Sequence, residues 1–108
     1  MQVLTDFGIV VLRDLAWRIW DPIGILASGE DWRGKSFQDE YDSYIITAFE
    51  MLHRGVPKYK VLEFLQDAEL KTMGLGSAST NLSIVRGRIS ELVDAIISAD
   101  PRLRDEIG

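Results

Sequence analysis

The spacing of apolar residues between Phe37 and Leu52 restricts this chain to one class of fold. Phe37, Tyr41, Tyr44, Ile45, Ala48, Phe49 and Leu52 recur at intervals of three and four. That period places them along one face of a helix and leaves the opposite face polar. Three other segments share it. From about Thr5 to Trp20, the residues Leu4, Val11, Leu12, Leu15, Ala16 and Ile19 form one stripe, and Phe7, Val10, Trp17 and Trp20 lie off it. A helix apolar on more than one side is either central or meets a partner. After Pro57, the residues Val61, Leu62, Phe64, Leu65, Ala68 and Met73 supply a third face. Leu82, Val85, Ile89, Leu92, Val93, Ile96 and Ile97 supply a fourth, ended by Asp100-Pro101. Period-two alternation and internal repeats are both missing. The expectation is an all-α fold with four main helices packed at steep angles as an orthogonal array, in a single domain over residues 1–108, with the tail from about residue 101 frayed.

The ends of these helices carry their own signals. Ser36 followed by Asp39 is close to a capping box, so the second helix is expected from about Phe37 to Arg54, with Gly55 as its C-terminal cap. Pro57 suits a first helical turn, where its missing N–H costs nothing. The short Arg54–Pro57 link makes the second and third helices a hairpin.

A chain of 108 residues, 46% hydrophobic and 27% charged, is long enough to bury one core without staples. It has no cysteine, which excludes disulfides and thiolate metal sites and fits a reducing cytoplasm. The first residues lack a basic region, Asp6 and Arg13 interrupt the apolar run, and no stretch approaches the ~20 apolar residues of a membrane span. A cytoplasmic protein with no membrane contact is expected. The net charge of -5 argues against nucleic acid and suits a basic protein partner.

Between the first and second helices lies a long irregular segment, residues 21 to 36. It opens with Asp21-Pro22-Ile23-Gly24, which matches the preferences of a type I turn position by position. Trp20, Asp21, Pro22 and Gly24 are therefore read as a structural turn, with Trp20 and Ile23 as buried anchors and the Asp21 carboxylate bonded to nearby backbone. Further along, Trp32-Arg33 is either an exposed contact point, since tryptophan and arginine dominate interface hot spots, or a lid over the core.

The side chains that could carry chemistry are few. Asp39, Glu40 and Asp42 form the densest carboxylate cluster. With Asp21 they could hold a hard cation, although acidic residues in a first helical turn also serve the helix dipole. Glu50 and His53 share a helical face, but one histidine cannot build a two-metal bundle site in a monomer; in the last turn His53 suits the C-terminal dipole instead. A catalytic triad has only that histidine to draw on. The Gly74–Asn81 stretch is glycine-rich but lacks the lysine and strand of a phosphate loop. Arg86, Arg88, Arg102 and Arg104 are a candidate basic patch. No cofactor is implied.

The motifs Trp20-Asp-Pro-Ile-Gly-Ile25, Asp39-Glu-Tyr-Asp-Ser-Tyr-Ile45, Leu52-His-Arg-Gly-Val56 and Met73-Gly-Leu75, in this order, resemble the YugE-like family of small bacterial proteins of unknown function. The match runs from about Trp20 to Leu75, and this chain departs from it by a longer loop containing Trp32 and by the small-residue linker before the last helix. The resemblance implies an all-α fold of four helices and no established activity. Three functions follow from the residues: a protein-binding module, immunity-like by analogy, with an acidic contact surface at Trp32, Arg33, Asp39, Glu40 and Asp42; a metal-dependent or small-molecule enzyme built on the carboxylates; or a structural homodimer formed through the first helix. The expected class is the first, not an enzyme.

Overall fold

Each apolar stripe becomes a helix. Among the residues that the computed structural model describes, 6–24, 30–74, 76 and 80–100, there are four α-helices and no strand. They are α1 (Asp6–Leu15), α2 (Asp42–His53), α3 (Lys58–Asp67) and α4 (Leu82–Ala99). The tail at 101–108 and, in the small-residue linker, residues 75 and 77–79 lie outside the described residues.

Two of the helices widen at their C-terminal ends. α1 continues as a π-helical turn, Ala16–Trp20, closed by the Asp21 N–H on the Ala16 carbonyl at 2.9 Å. α3 continues as a second, Ala68–Thr72, closed by the Met73 N–H on the Ala68 carbonyl at 2.8 Å. Both bonds reach back five residues, the π pattern, which is rare and recurs at functional sites. Helical period alone does not anticipate them.

The caps follow local chemistry. At the end of α2, the Val56 N–H reaches Met51 O at 3.0 Å and the Gly55 N–H reaches Leu52 O at 3.1 Å. This Schellman motif requires the left-handed φ of +82° that Gly55 adopts. Asn81 caps α4 through its side chain, which accepts from the Ile84 N–H at 3.2 Å. Asp100 is extended, as a residue before proline should be.

The start of α2 differs from the expected one. The helix begins at Asp42, not Phe37, and its N-cap, Tyr41, makes no side-chain cap bond, so the Ser36 capping box is not formed. Residues 35–42 wind instead through three-residue bonds: Gln38 N–H to Lys35 O, Glu40 N–H to Phe37 O and Asp42 N–H to Asp39 O. The Trp17 indole N–H donates to the Gln38 carbonyl at 3.0 Å and occupies the acceptor that an earlier helix start would use for Asp42. Only Asp42 of the acidic cluster stands in the first turn.

The core is one cluster. Leu12, Leu15 and Ala16 from α1 and its extension, Ile45, Ala48 and Leu52 from α2, Val61 and Leu65 from α3, and Val85, Ile89, Leu92, Val93 and Ile96 from α4 meet there. Trp17 and Trp20, off the α1 stripe, are also buried, and Tyr41 packs on both at 4.6 and 5.5 Å between ring centres. Of the second apolar side, Trp17 and Trp20 are covered from within the chain, and Val10 stays outside at 41% exposed. α3 and α4 run antiparallel. Lys58 pairs with Asp94 at one end and Gln66 with Arg86 at the other, each pair eight residues from the next in reverse order. No described helix is long and apolar enough to cross a membrane.

Asn81→Ala is expected to lower stability by about 1 kcal/mol through the lost cap. Gly55→Ala is expected to cost about 1–2 kcal/mol through the left-handed backbone. Urea unfolding followed by circular dichroism measures both.

Candidate functional site

The segment from Asp21 to Asp42 is where the sequence placed its candidate residues. In the structure it is fastened to α1 by the polar tips of buried side chains. Trp20 is 2% exposed, as expected of an anchor. Asp21-Pro22-Ile23-Gly24 closes as a turn through the Gly24 N–H, which donates to Asp21 O at 3.1 Å and to the Asp21 carboxylate at 3.2 Å. Asp21 sits at a φ of +27°, a strained value for a residue with a side chain. Tyr41 holds it there. The Tyr41 O–H donates to Asp21 Oδ1 at 2.7 Å and accepts from the Ile23 N–H at 3.2 Å. Ile23 does not behave as expected: it is 42% exposed. The Tyr41 hydroxyl ties down the Ile23 backbone, so no apolar contact is needed to hold the turn. Burial, and then the bond to Asp21, push the Tyr41 phenol well above its ordinary value.

Trp32 takes one of the two places that its sequence left open. It is 4% exposed and acts as a lid, not an exposed contact. Its indole N–H donates to Asp14 on α1 at 3.1 Å. The Arg33 guanidinium lies 4.6 Å over its ring and covers it from outside. Arg33 itself is exposed and close to Asp31 and Asp14. An indole packed on the core by its own chain leaves a partner only its arginine cover.

The acidic cluster divides. Asp42 is half-buried and held by Arg13: Nε donates to Oδ1 at 2.9 Å and NH2 to Oδ2 at 2.6 Å. This paired carboxylate holds the Arg13 guanidinium even more firmly protonated. Asp39 and Glu40 point to solvent, and neither makes an ion pair or side-chain hydrogen bond among the described residues. What remains is a strip of two free carboxylates on a rigid base.

The other candidates are kept apart. His53 is taken by Asp100 at 2.8 Å and packed against Phe49, while Glu50 faces solvent. Among the described residues, no group of three or more His, Asp or Glu side chains is placed to hold a metal ion. The arginine patch is also divided. Arg86 bonds Gln66, Arg88 turns inward, and Arg102 and Arg104 lie outside the described residues.

One group escaped sequence reasoning altogether. Glu69, on the π turn of α3, is 3% exposed. It accepts from the Trp20 indole N–H at 2.9 Å and from Arg88 NH2 at 3.0 Å, while Arg88 NH1 donates to the Trp20 carbonyl at 3.0 Å. This clasp joins both π turns to α4. Glu69 follows Ala68 on the apolar stripe by one position, so its place in the pattern marks it as surface. Comparison with protein-family models, curated proteins and solved structures finds no match to the chain.

Arg88→Met, which leaves Glu69 buried without its cation, is expected to cost about 3 kcal/mol. The double variant Glu69→Leu/Arg88→Met should cost less than the two single changes added together. Chemical denaturation measures the cycle. The folded Tyr41 phenol releases its proton at higher pH than the unfolded one, whose pKa is about 10. As pH rises, the unfolded chain therefore ionises first. This contribution to stability is complete below about pH 10 and is lost above it. Tyr41→Phe should be less stable by about 1–2 kcal/mol at neutral pH and should lose less stability than the wild type between about pH 10 and about pH 11, as read by urea titration at each pH.

Proposed function

We propose that this chain is a cytoplasmic protein-binding module, immunity-like in character, that captures a basic partner through Asp39 and Glu40. The observation that carries the reading is the contrast between these two carboxylates and those around them. Asp14, Asp21, Asp31 and Asp42 are engaged inside the chain. Asp39 and Glu40 are exposed and make no ion pair among the described residues, on a segment fixed by Trp17, Tyr41 and Arg13. Fixed, exposed charge speeds capture of an oppositely charged surface and costs little ordering on binding. Arg33 and the surface of the Trp32 lid adjoin the strip in sequence and would form its rim. The net charge of -5 adds a long-range field of the same sign.

Membership of the YugE-like family is part of this proposal. It is supported by the ordered motifs, whose Asp21–Gly24 and Arg54-Gly55 elements form a turn and a helix cap in this chain.

The test is affinity capture from the native host with the wild type and with Asp39→Lys/Glu40→Lys in parallel. A specific basic partner is expected with the wild type alone, with an association rate about tenfold or more slower when salt rises from about 0.05 M to about 0.5 M. A partner retained equally by the charge-reversed variant would sink the reading, as would the lack of any specific partner.

A further inference from the structure

The antiparallel α3–α4 pair leaves an open groove of about 380 Å³ between its helices, within the size range of small-molecule sites. Leu62 and Ile89 form its floor. Its walls carry charge of both signs, Glu63 on α3 and Arg86 on α4, and the two do not pair with each other. Tyr59 stands one turn before Glu63 on the same face of α3, with its side chain 61% exposed. A carboxylate beside an open aromatic ring suits an ammonium group. At the other end, Arg86 Nε donates to Gln66 Oε1 at 3.0 Å, which orients the guanidinium. Its two terminal nitrogens have no acceptor among the described residues, and a fork held in this way suits a carboxylate.

Exposed charges without an ion pair also occur elsewhere, as at Arg54, Lys60 and Glu91. The groove differs in that two of opposite sign flank one apolar floor at a set spacing. From the midpoint of Tyr59 and Glu63 to Gln66, where the guanidinium is pinned, is about 7.5 Å along the axis of α3. The geometry points to a zwitterionic ligand of that length, a dipeptide with both ends free. Its ammonium meets Glu63 and Tyr59, its carboxylate meets Arg86, and its apolar side chains cover Leu62 and Ile89. Two extended residues span about 7 Å, which matches the spacing. A simple carboxylate would meet Glu63 as a like charge, and a simple amine would meet Arg86 as one; a molecule with one charge of each sign suits both. It has no net charge, so the chain's own -5 does not oppose it. The groove shares no residue with the acidic strip, and the inference does not depend on the function proposed for that strip.

The experiment is an NMR titration of the isotope-labelled full chain with the dipeptide Leu-Leu. Leu-Leu should bind with a dissociation constant of about 1 mM or tighter and shift the amide signals of Leu62, Glu63 and Ile89. Acetyl-Leu-Leu and Leu-Leu-amide, which each lack one charge, should bind about tenfold or more weakly. Two variants assign the ends. Glu63→Gln should weaken Leu-Leu about tenfold and leave acetyl-Leu-Leu unaffected, and Arg86→Gln should weaken Leu-Leu about tenfold and leave Leu-Leu-amide unaffected. Both positions are exposed, and unchanged circular dichroism confirms that the variants fold. No binding up to about 10 mM overturns the inference. So do shifts confined to residues outside the groove, blocked dipeptides that bind as tightly as Leu-Leu, or variants that weaken the free and blocked forms alike.

Discussion

The clasp of Glu69, Trp20 and Arg88 is the contact on which the arrangement of helices depends. A carboxylate buried to 3% exposure is costly unless charge and hydrogen bonds compensate it. Both of its oxygens are engaged, one by an indole and one by a guanidinium, and the same guanidinium satisfies the carbonyl left open at the end of the first π turn. Removing any one member strands the others. The widened turns at Trp20 and Glu69 both end their helices at this point, and α4 is tied to them by its arginine. The clasp therefore sets how three elements meet, where apolar packing alone would tolerate sliding.

A second rule governs the segment before α2. Its described residues form no α-helix or strand, so their backbone groups and polar side chains must find partners elsewhere. Aromatic tips supply several. Trp17 bonds Gln38 O, Tyr41 bonds Asp21 and the Ile23 N–H, and Trp32 bonds Asp14, while each ring is buried. Indole and phenol groups can fill a core and satisfy a polar group at its edge. No buried side-chain nitrogen or oxygen among the described residues lacks a partner. The irregular segment thereby becomes a rigid platform for Asp39 and Glu40.

These interior arrangements explain what the surface has to offer. Most described cations and many carboxylates are matched within the chain, so the exceptions stand out. Among the described acids without an ion pair, Asp39 and Glu40 are adjacent on the segment before α2, whereas Glu50, Glu63 and Glu91 stand singly on the helices.

The sequence by itself determined the four helices, the Gly55 cap, the Asp21–Gly24 turn and the absence of thiol chemistry. All of these arise between residues no more than a few positions apart, where period and side-chain type suffice. The tertiary structure decided the rest. The Glu69–Trp20 bond spans 49 positions and the Arg88–Trp20 bond 68, distances at which no local pattern carries information. Trp32 reads equally as an exposed contact or as a lid until Asp14 and Arg33 close around it. The start of α2 follows the period of its apolar face until Trp17 takes the Gln38 carbonyl. Which carboxylates remain free could be known only after the others had found their arginines, because pairing depends on where the packed helices place each charge.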